Sequence, residues 1–201
     1  MTIRDYHPAD LPYLYDICLR TGDSGADASG LFSDPALLGQ YYAAPYAVRD
    51  SRLVLVLETA GLPVGYVLGT DDTAGYDAWL ASFWLPALRL MYPEPAASEH
   101  PALSEAERGL RSRFAEEPET SPWSAEYPGH LHIDIMPSAQ GHGWGAKLMD
   151  AFRTRLASLG CPAFHLGVSR GNAGALRFYQ RYGMREIGGD ADTLFLGMSC
   201  P

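Results

Sequence analysis

Residues 131–182 hold the side chains best suited to chemistry, a polar set on a strand and a run of glycines just after it. His130, His132 and Asp134 alternate with Leu131, Ile133 and Ile135, so an extended chain sends the polar set to one face and the apolar set to the other. Past Met136 come Gln140-Gly141-His142-Gly143-Trp144-Gly145, with three glycines within five residues. Glycines let backbone N–H groups approach a ligand closely. The spacing of Leu148, Met149, Phe152, Leu156 and Leu159 predicts a helix starting at that point. A helix N-terminus carries unpaired N–H groups and the positive end of a dipole, and the chemistry that suits it is the binding of a phosphate or pyrophosphate.

A second strand is expected over residues 164–169, followed by Asn172 as the N-cap of a helix carrying Leu176, Phe178, Tyr179 and Tyr182. The pattern Gln/Arg-x-x-Gly-x-Gly/Ala, met by Gln140, Gly143 and Gly145, resembles motif A of the GNAT superfamily of acyl-CoA-dependent N-acyltransferases. The helix after Asn172 resembles motif B of the same superfamily. Three further segments, Tyr15-Asp16-Ile17-Cys18, residues 103–108 and His132-Ile133-Asp134-Ile135, are similar to the acetyltransferase-like C-terminal domain of eukaryotic protein O-GlcNAcase and its free-standing bacterial relatives. In that group the eukaryotic domain lacks the coenzyme A loop, which this chain keeps.

The resemblance implies an α/β GNAT fold, a mixed central sheet flanked by helices, and acetyl-CoA as co-substrate with no metal. It implies transfer of an acetyl group to an amine by direct attack within a ternary complex. The alternative is a domain that binds coenzyme A, a protein or a peptide without catalysing transfer. Gln140, Gly141, His142, Gly143, Trp144 and Gly145 would contact the cofactor, with Asn172 from motif B and with Ile135 and Met136 where GNAT strands part. Tyr179 takes the place of the general-acid tyrosine that protonates the departing thiolate; the competing reading packs it beside Phe178.

Such a reaction needs a neutral amine, a stabilised oxyanion and a proton for the thiolate. Asp134 shares its strand face with His130 and His132, and a carboxylate there must face the cleft or find a partner. Asp134 is expected to contact the acceptor. The base stays open between Asp134 and His132, whose ordinary pKa suits the task better. Asp23, in a loop that borders the acceptor site in GNAT folds, is a further candidate for a cationic amine; the plain reading makes it a turn-former. His142, His165, Arg170 and Arg177 are weaker candidates.

The elements that position these residues begin with a short strand over residues 2–6 and a helix carrying Leu11, Leu14, Tyr15 and Cys18. Residues 21–30, small and acidic, must be loop, and Ser33-Asp34-Pro35 opens another helix. Residues 52–59 and 64–70 form a hairpin joined by Ala60-Gly61-Leu62-Pro63. Residues 71–129 form a helical insertion between the third and fourth strands. Within it Pro86 kinks or restarts a helix, Tyr92-Pro93-Glu94-Pro95 ends it, and Ser104 with Glu107 forms a capping box. Trp79, Phe83, Trp84 and Trp123 suit either the core or an acceptor pocket. After motif B, residues 188–192 make a hairpin turn into a last strand over residues 193–199.

With 201 residues, 47% of them hydrophobic, a single α/β domain over the whole chain is expected. A net charge of −9 argues against nucleic acid as a partner and suits a small-molecule amine or a peptide or protein acceptor. Three cysteines without metal spacing suggest reduced thiols. The start of the chain has no signal-peptide pattern and no apolar run reaches membrane-spanning length, so a cytoplasmic location is expected.

Overall fold

The computed structural model describes residues 1–93 and 102–201. Glu94 and Pro95 of the expected helix stop lie outside the described residues. Seven strands form one sheet in the order β1-β2-β3-β4-β5-β7-β6. They are β1 (Thr2–Asp5), β2 (Val54–Thr59), β3 (Leu62–Thr70), β4 (Gly129–Ile135), β5 (Ala163–Ser169), β6 (Arg185–Gly189) and β7 (Thr193–Ser199). Every neighbouring pair is antiparallel except β4 with β5, which is parallel.

Each face of the sheet buries a separate apolar layer. On one face Val54, Val56, Tyr66 and Leu68 pack under α1 (Leu11–Thr21), α2 (Leu37–Tyr42) and α3 (Ala44–Arg49). On the other, Leu55, Leu57, Val67 and Leu131 pack under α7 (Trp144–Ser158). A strand buried on both faces needs an unbroken apolar run, which is why residues 54–57 do not alternate with polar ones. The motif B helix is α8 (Ala173–Tyr182).

Between β3 and β4 lie α4 (Thr73–Trp79), α5 (Leu85–Met91) and α6 (Glu105–Ala115). Pro86 restarts a helix as expected, and the device is a π turn over residues 80–84, in which the Leu85 N–H reaches the Leu80 carbonyl. That wider turn brings Pro86 into the first turn of α5, where its missing N–H leaves no bond unmade. Trp79 and Trp84 lie half-buried against the first core layer, while Phe83 is exposed. Among the described residues, no helix is long and apolar enough to cross a membrane.

Three local expectations are corrected. The first hairpin turns on Ala60 and Gly61 alone, both at positive φ, so Leu62 and Pro63 belong to β3. Pro63 sits opposite Glu58 where the register slips, a position that tolerates the loss of an N–H donor. Gly188 and Gly189 belong to β6, and the second turn is left to residues 190–192.

The third correction concerns Glu107. Ser104 caps α6 by accepting from the Glu107 N–H at 3.0 Å, but the Glu107 carboxylate does not complete a capping box. It accepts instead from the N–H and hydroxyl of Ser33, both at 2.7 Å, and from Arg111 at 2.6 Å. Those bonds offset its burial and hold its carboxyl below the ordinary range. This clip ties α6 to the segment that leads into α2. Replacing Glu107 with Ala leaves Arg111 and the Ser33 N–H without their acceptor, and is expected to lower unfolding free energy by about 3 kcal/mol in urea titrations.

Candidate active site

The site exists because β4 pairs fully on one side and barely on the other. Along β3 the pairing runs from Thr70↔His130 to Gly65↔Ile135. Toward β5 only Gly129↔Phe164 and His130↔His165 are paired, and the two strands then part. In an antiparallel ladder, hydrogen-bonded and non-bonded pairs alternate. The Met136 N–H donates to the Val64 carbonyl at 2.8 Å, which sets the phase: even-numbered residues of β4 spend their backbone groups on β3. The N–H groups of Ile133 and Ile135 therefore point into the gap. Met136, expected beside Ile135 as a cofactor contact, has its N–H engaged on the far side and does not line the cleft.

The gap opens into a cleft of about 1090 Å³. Gln140, Gly141, Gly143, Trp144 and Gly145 line one end of it. Gln140 Nε2 donates to the Ile135 carbonyl at 2.7 Å, which ties the loop to the strand. Gly143 is the N-cap of α7 with φ +75°, a value that favours glycine, and no side chain caps this helix. The first N–H groups of α7 thus face the loop unspent. Gly145 serves a second purpose: a Cβ there would stand 3.1 Å from the Phe178 ring, so its absence lets α7 approach α8. His142 is exposed and does not line the cleft.

Asn172 lines the opposite wall and caps α8 as expected, its Oδ1 accepting from the Ala175 N–H at 2.9 Å. Tyr179, about two turns further along α8, is buried and also lines the cleft. Burial, with the negative charge of Asp134 close by, pushes its phenol well above the ordinary range. Tyr179 therefore stays protonated, in the form a proton donor needs.

Asp134 is half-buried in the cleft wall. Burial pushes its carboxyl up, and the Tyr66 hydroxyl, donating to Oδ2 at 2.7 Å, partly opposes this. His132 also lines the cleft. Its burial pushes it down to about 4, so the ordinary imidazole pKa that recommended it as a base is not kept. Asp23 is exposed and does not line the cleft; its N–H and carbonyl both pair with Ala26 in a tight turn, and its neighbours Gly22, Ser24 and Gly25 form the wall.

Several wall residues were not among the site residues expected from the sequence. Cys18 and Thr21 come from α1, Leu38 and Tyr42 from α2, and Tyr66 backs Asp134 from β3. Tyr66 lies two strands from the loop in sequence and reaches Asp134 only because it is its register partner. Cys18 is buried, and burial beside Asp134 raises its thiol far above neutrality, which makes it an inert wall group. None of Trp79, Phe83, Trp84 and Trp123 lines the cleft.

The profile of the Acetyltransferase (GNAT) family matches residues 95–184, from before α6 to the end of α8. The chain is 28% identical over 204 residues to protein O-GlcNAcase of Rattus norvegicus, covering 98% of this chain and 22% of that protein. The figures are the same for protein O-GlcNAcase of Mus musculus. The chain thus spans about a fifth of the length of the curated relatives it matches. The crystal structure of SsHAT is 37% identical, with a TM-score of 0.88 over 100% of this chain and 98% of that one. The fold alone is shared with yncA from Salmonella typhimurium, solved with its cofactor acetyl-CoA, at 19% identity and a TM-score of 0.55 over 100% and 94% of the two chains. A parted β4–β5 pair over a glycine loop, the profile match across that region and the full-length likeness to SsHAT lead to one conclusion: the chain belongs to the acetyltransferase (GNAT) family.

Proposed function

We propose that this protein is an acetyl-CoA-dependent N-acetyltransferase acting on an amine by direct attack in a ternary complex. The observation that carries the reading is the parting of β4 from β5 directly above the uncapped N-terminus of α7. An extended arm laid in the gap meets the N–H groups of Ile133 and Ile135, while a pyrophosphate at the far end meets the first N–H groups of α7. The left-handed Gly143 and the open space around it form a cradle of the right kind, and yncA, of the same fold, binds this cofactor. Acetyl-CoA supplies the acetyl group as a thioester.

The chain's own residues do the rest. The Ile133 or Ile135 N–H stabilises charge developing on the carbonyl oxygen, because it is fixed in place before reaction. Tyr179, held protonated, gives its proton to the departing sulfur. Asp134 receives the amine: its carboxylate anchors the nucleophile and takes its proton directly or through water. The acceptor is a small-molecule amine or a peptide or protein amine, received at the end of the cleft walled by α1 and α2. The likeness to the O-GlcNAcases, which covers 98% of this chain, supports the second reading, a domain that binds coenzyme A, a protein or a peptide without catalysing transfer.

Calorimetric titration with acetyl-CoA, followed by a screen of amines for thiol release, separates the two: binding without transfer to any amine favours the second. Gly143→Val forces a β-branched residue to positive φ and is expected to weaken acetyl-CoA binding about tenfold or more; equal affinity removes the loop from the site. Tyr179→Phe is expected to keep cofactor affinity and slow transfer by about a hundredfold or more, and unchanged turnover excludes it as the acid. Because burial raises the Asp134 carboxyl, its base form is lost at a higher pH than that of an ordinary carboxylate. Transfer should fall on acidification from above the usual carboxylate range, and Asp134→Asn should both lower the rate and flatten that limb.

A further inference from the structure

Along the polar face of β4 runs a chain of hydrogen bonds whose direction the contacts themselves determine. Thr73 Oγ1 lies 2.7 Å from the Pro128 carbonyl oxygen and 2.8 Å from His130 Nδ1. A carbonyl cannot donate, and two oxygens this close with no proton between them would repel, so the hydroxyl proton lies on the Pro128 contact. His130 Nδ1 must then carry the proton of the other contact. Burial, with His132 and His165 beside it, keeps the His130 imidazole neutral, which leaves Nε2 a bare lone pair.

Tyr46 Oη stands 2.8 Å from that nitrogen and therefore donates to it. The same oxygen stands 3.1 Å from His132 Nε2, and with its only proton spent it can only accept there. His132 Nε2 consequently carries a proton. His132 is neutral as well, so its Nδ1 is bare. Among the described residues nothing bonds to that Nδ1, and His132 lines the cleft. The Tyr42 ring meets the imidazole edge-on, with ring centroids 5.5 Å apart.

We propose that Thr73, His130 and Tyr46 are positioning residues that lock His132 in its Nε2–H tautomer, so that the Nδ1 lone pair accepts the hydrogen of the acceptor's attacking amine. The inference rests on the acetyl-transfer reading for the identity of that group. A lone pair at this point turns the nitrogen of a donor toward the thioester and repels a carboxylate or phosphate placed there. Asp134, on the same strand face and lining the same cleft, is the second acceptor. The opposite tautomer would present an N–H and lose this selection. The lock is anchored on a backbone carbonyl, which has no alternative protonation state.

The test uses long-range proton–nitrogen correlation spectra of the isotope-labelled full chain near neutrality. Expected are a bare Nδ1 and protonated Nε2 at His132, and the reverse at His130. Thr73→Val removes the anchor with little change of shape and should leave His132 in a mixture of tautomers, while Thr73→Ser restores the single form. Tyr46→Phe, which breaks the chain at its middle, should do the same as Thr73→Val. Hydroxylamine, an uncharged amine near neutrality, titrated into the chain with coenzyme A bound should shift His132 Nδ1 more than Nε2. A protonated Nδ1 in the unaltered chain, an unchanged tautomer in both Thr73→Val and Tyr46→Phe, or no response of Nδ1 to hydroxylamine would overturn the proposal. A chain that keeps these tautomers yet fails to bind acetyl-CoA would instead remove the transferase reading and leave the lock standing.

Discussion

Everything at the site depends on β4 holding β3 while releasing β5. A strand can part from a neighbour only if the backbone groups it exposes find other partners, since unpaired buried amides are costly. Here the released groups are those of Ile133 and Ile135, and one of them already has a substitute, the Gln140 side chain on the Ile135 carbonyl. The rest face the cleft, where they are available to a bound molecule. The strand is kept straight against β3 by the complete ladder on that side. The opening thus comes from a pairing imbalance, with β5 drawn away by its seven-residue ladder to β7.

The same strand separates two kinds of chemistry by its pleat. Odd-numbered residues offer backbone donors to the gap and bury their side chains under α7, while even-numbered side chains form the polar face toward α1, α2 and α3. Burial then decides what each polar group does. It raises Asp134 and Tyr179 and lowers His132, so carboxyl, phenol and imidazole all move toward their neutral forms. A wall of groups biased toward neutrality suits a reaction whose nucleophile must itself be neutral. The hydroxyls of Tyr66 and Tyr46 are the counterweights, each spending its proton on a member of that wall or on the residue beside it.

How much of this was legible in the sequence follows from where the contacts come from. Alternation through residues 130–135 identified β4 and the shared face of His132 and Asp134, and the glycines at 141, 143 and 145 marked the loop and the start of α7. Those features are local, and periodicity and glycine placement report local structure directly. Met136 was misplaced because the phase of a ladder is set by the partner strand, at Val64, and not by the strand's own side chains. His132 was overrated as a base because an unperturbed pKa says nothing of enclosure by Tyr42 and Tyr46. Glu107 matched a local capping pattern, but its carboxylate found stronger partners in Ser33 and Arg111 once the chain had folded.

The division between legible and hidden residues coincides with a division in the molecule. The glycine loop, α7 and α8 come from one continuous stretch, and the family profile matches only from residue 95 onward. The opposite wall, with Thr21, Leu38 and Tyr42, comes from α1 and α2, before that stretch begins. Its shape relies on long-range ties such as Glu107 to Ser33, which fixes the segment leading into α2. Cofactor capture by backbone groups needs little beyond a parted strand and a free helix end, and so survives wide divergence of side chains. Acceptor recognition needs particular side chains delivered by distant elements. SsHAT and the O-GlcNAcases match this chain along nearly its whole length, including the α1–α2 wall, whereas yncA shares the fold alone. The α1–α2 wall and the polar face of β4 beneath it are thus the part of the cleft that this chain has in common with the narrower group and that the shared fold alone does not account for.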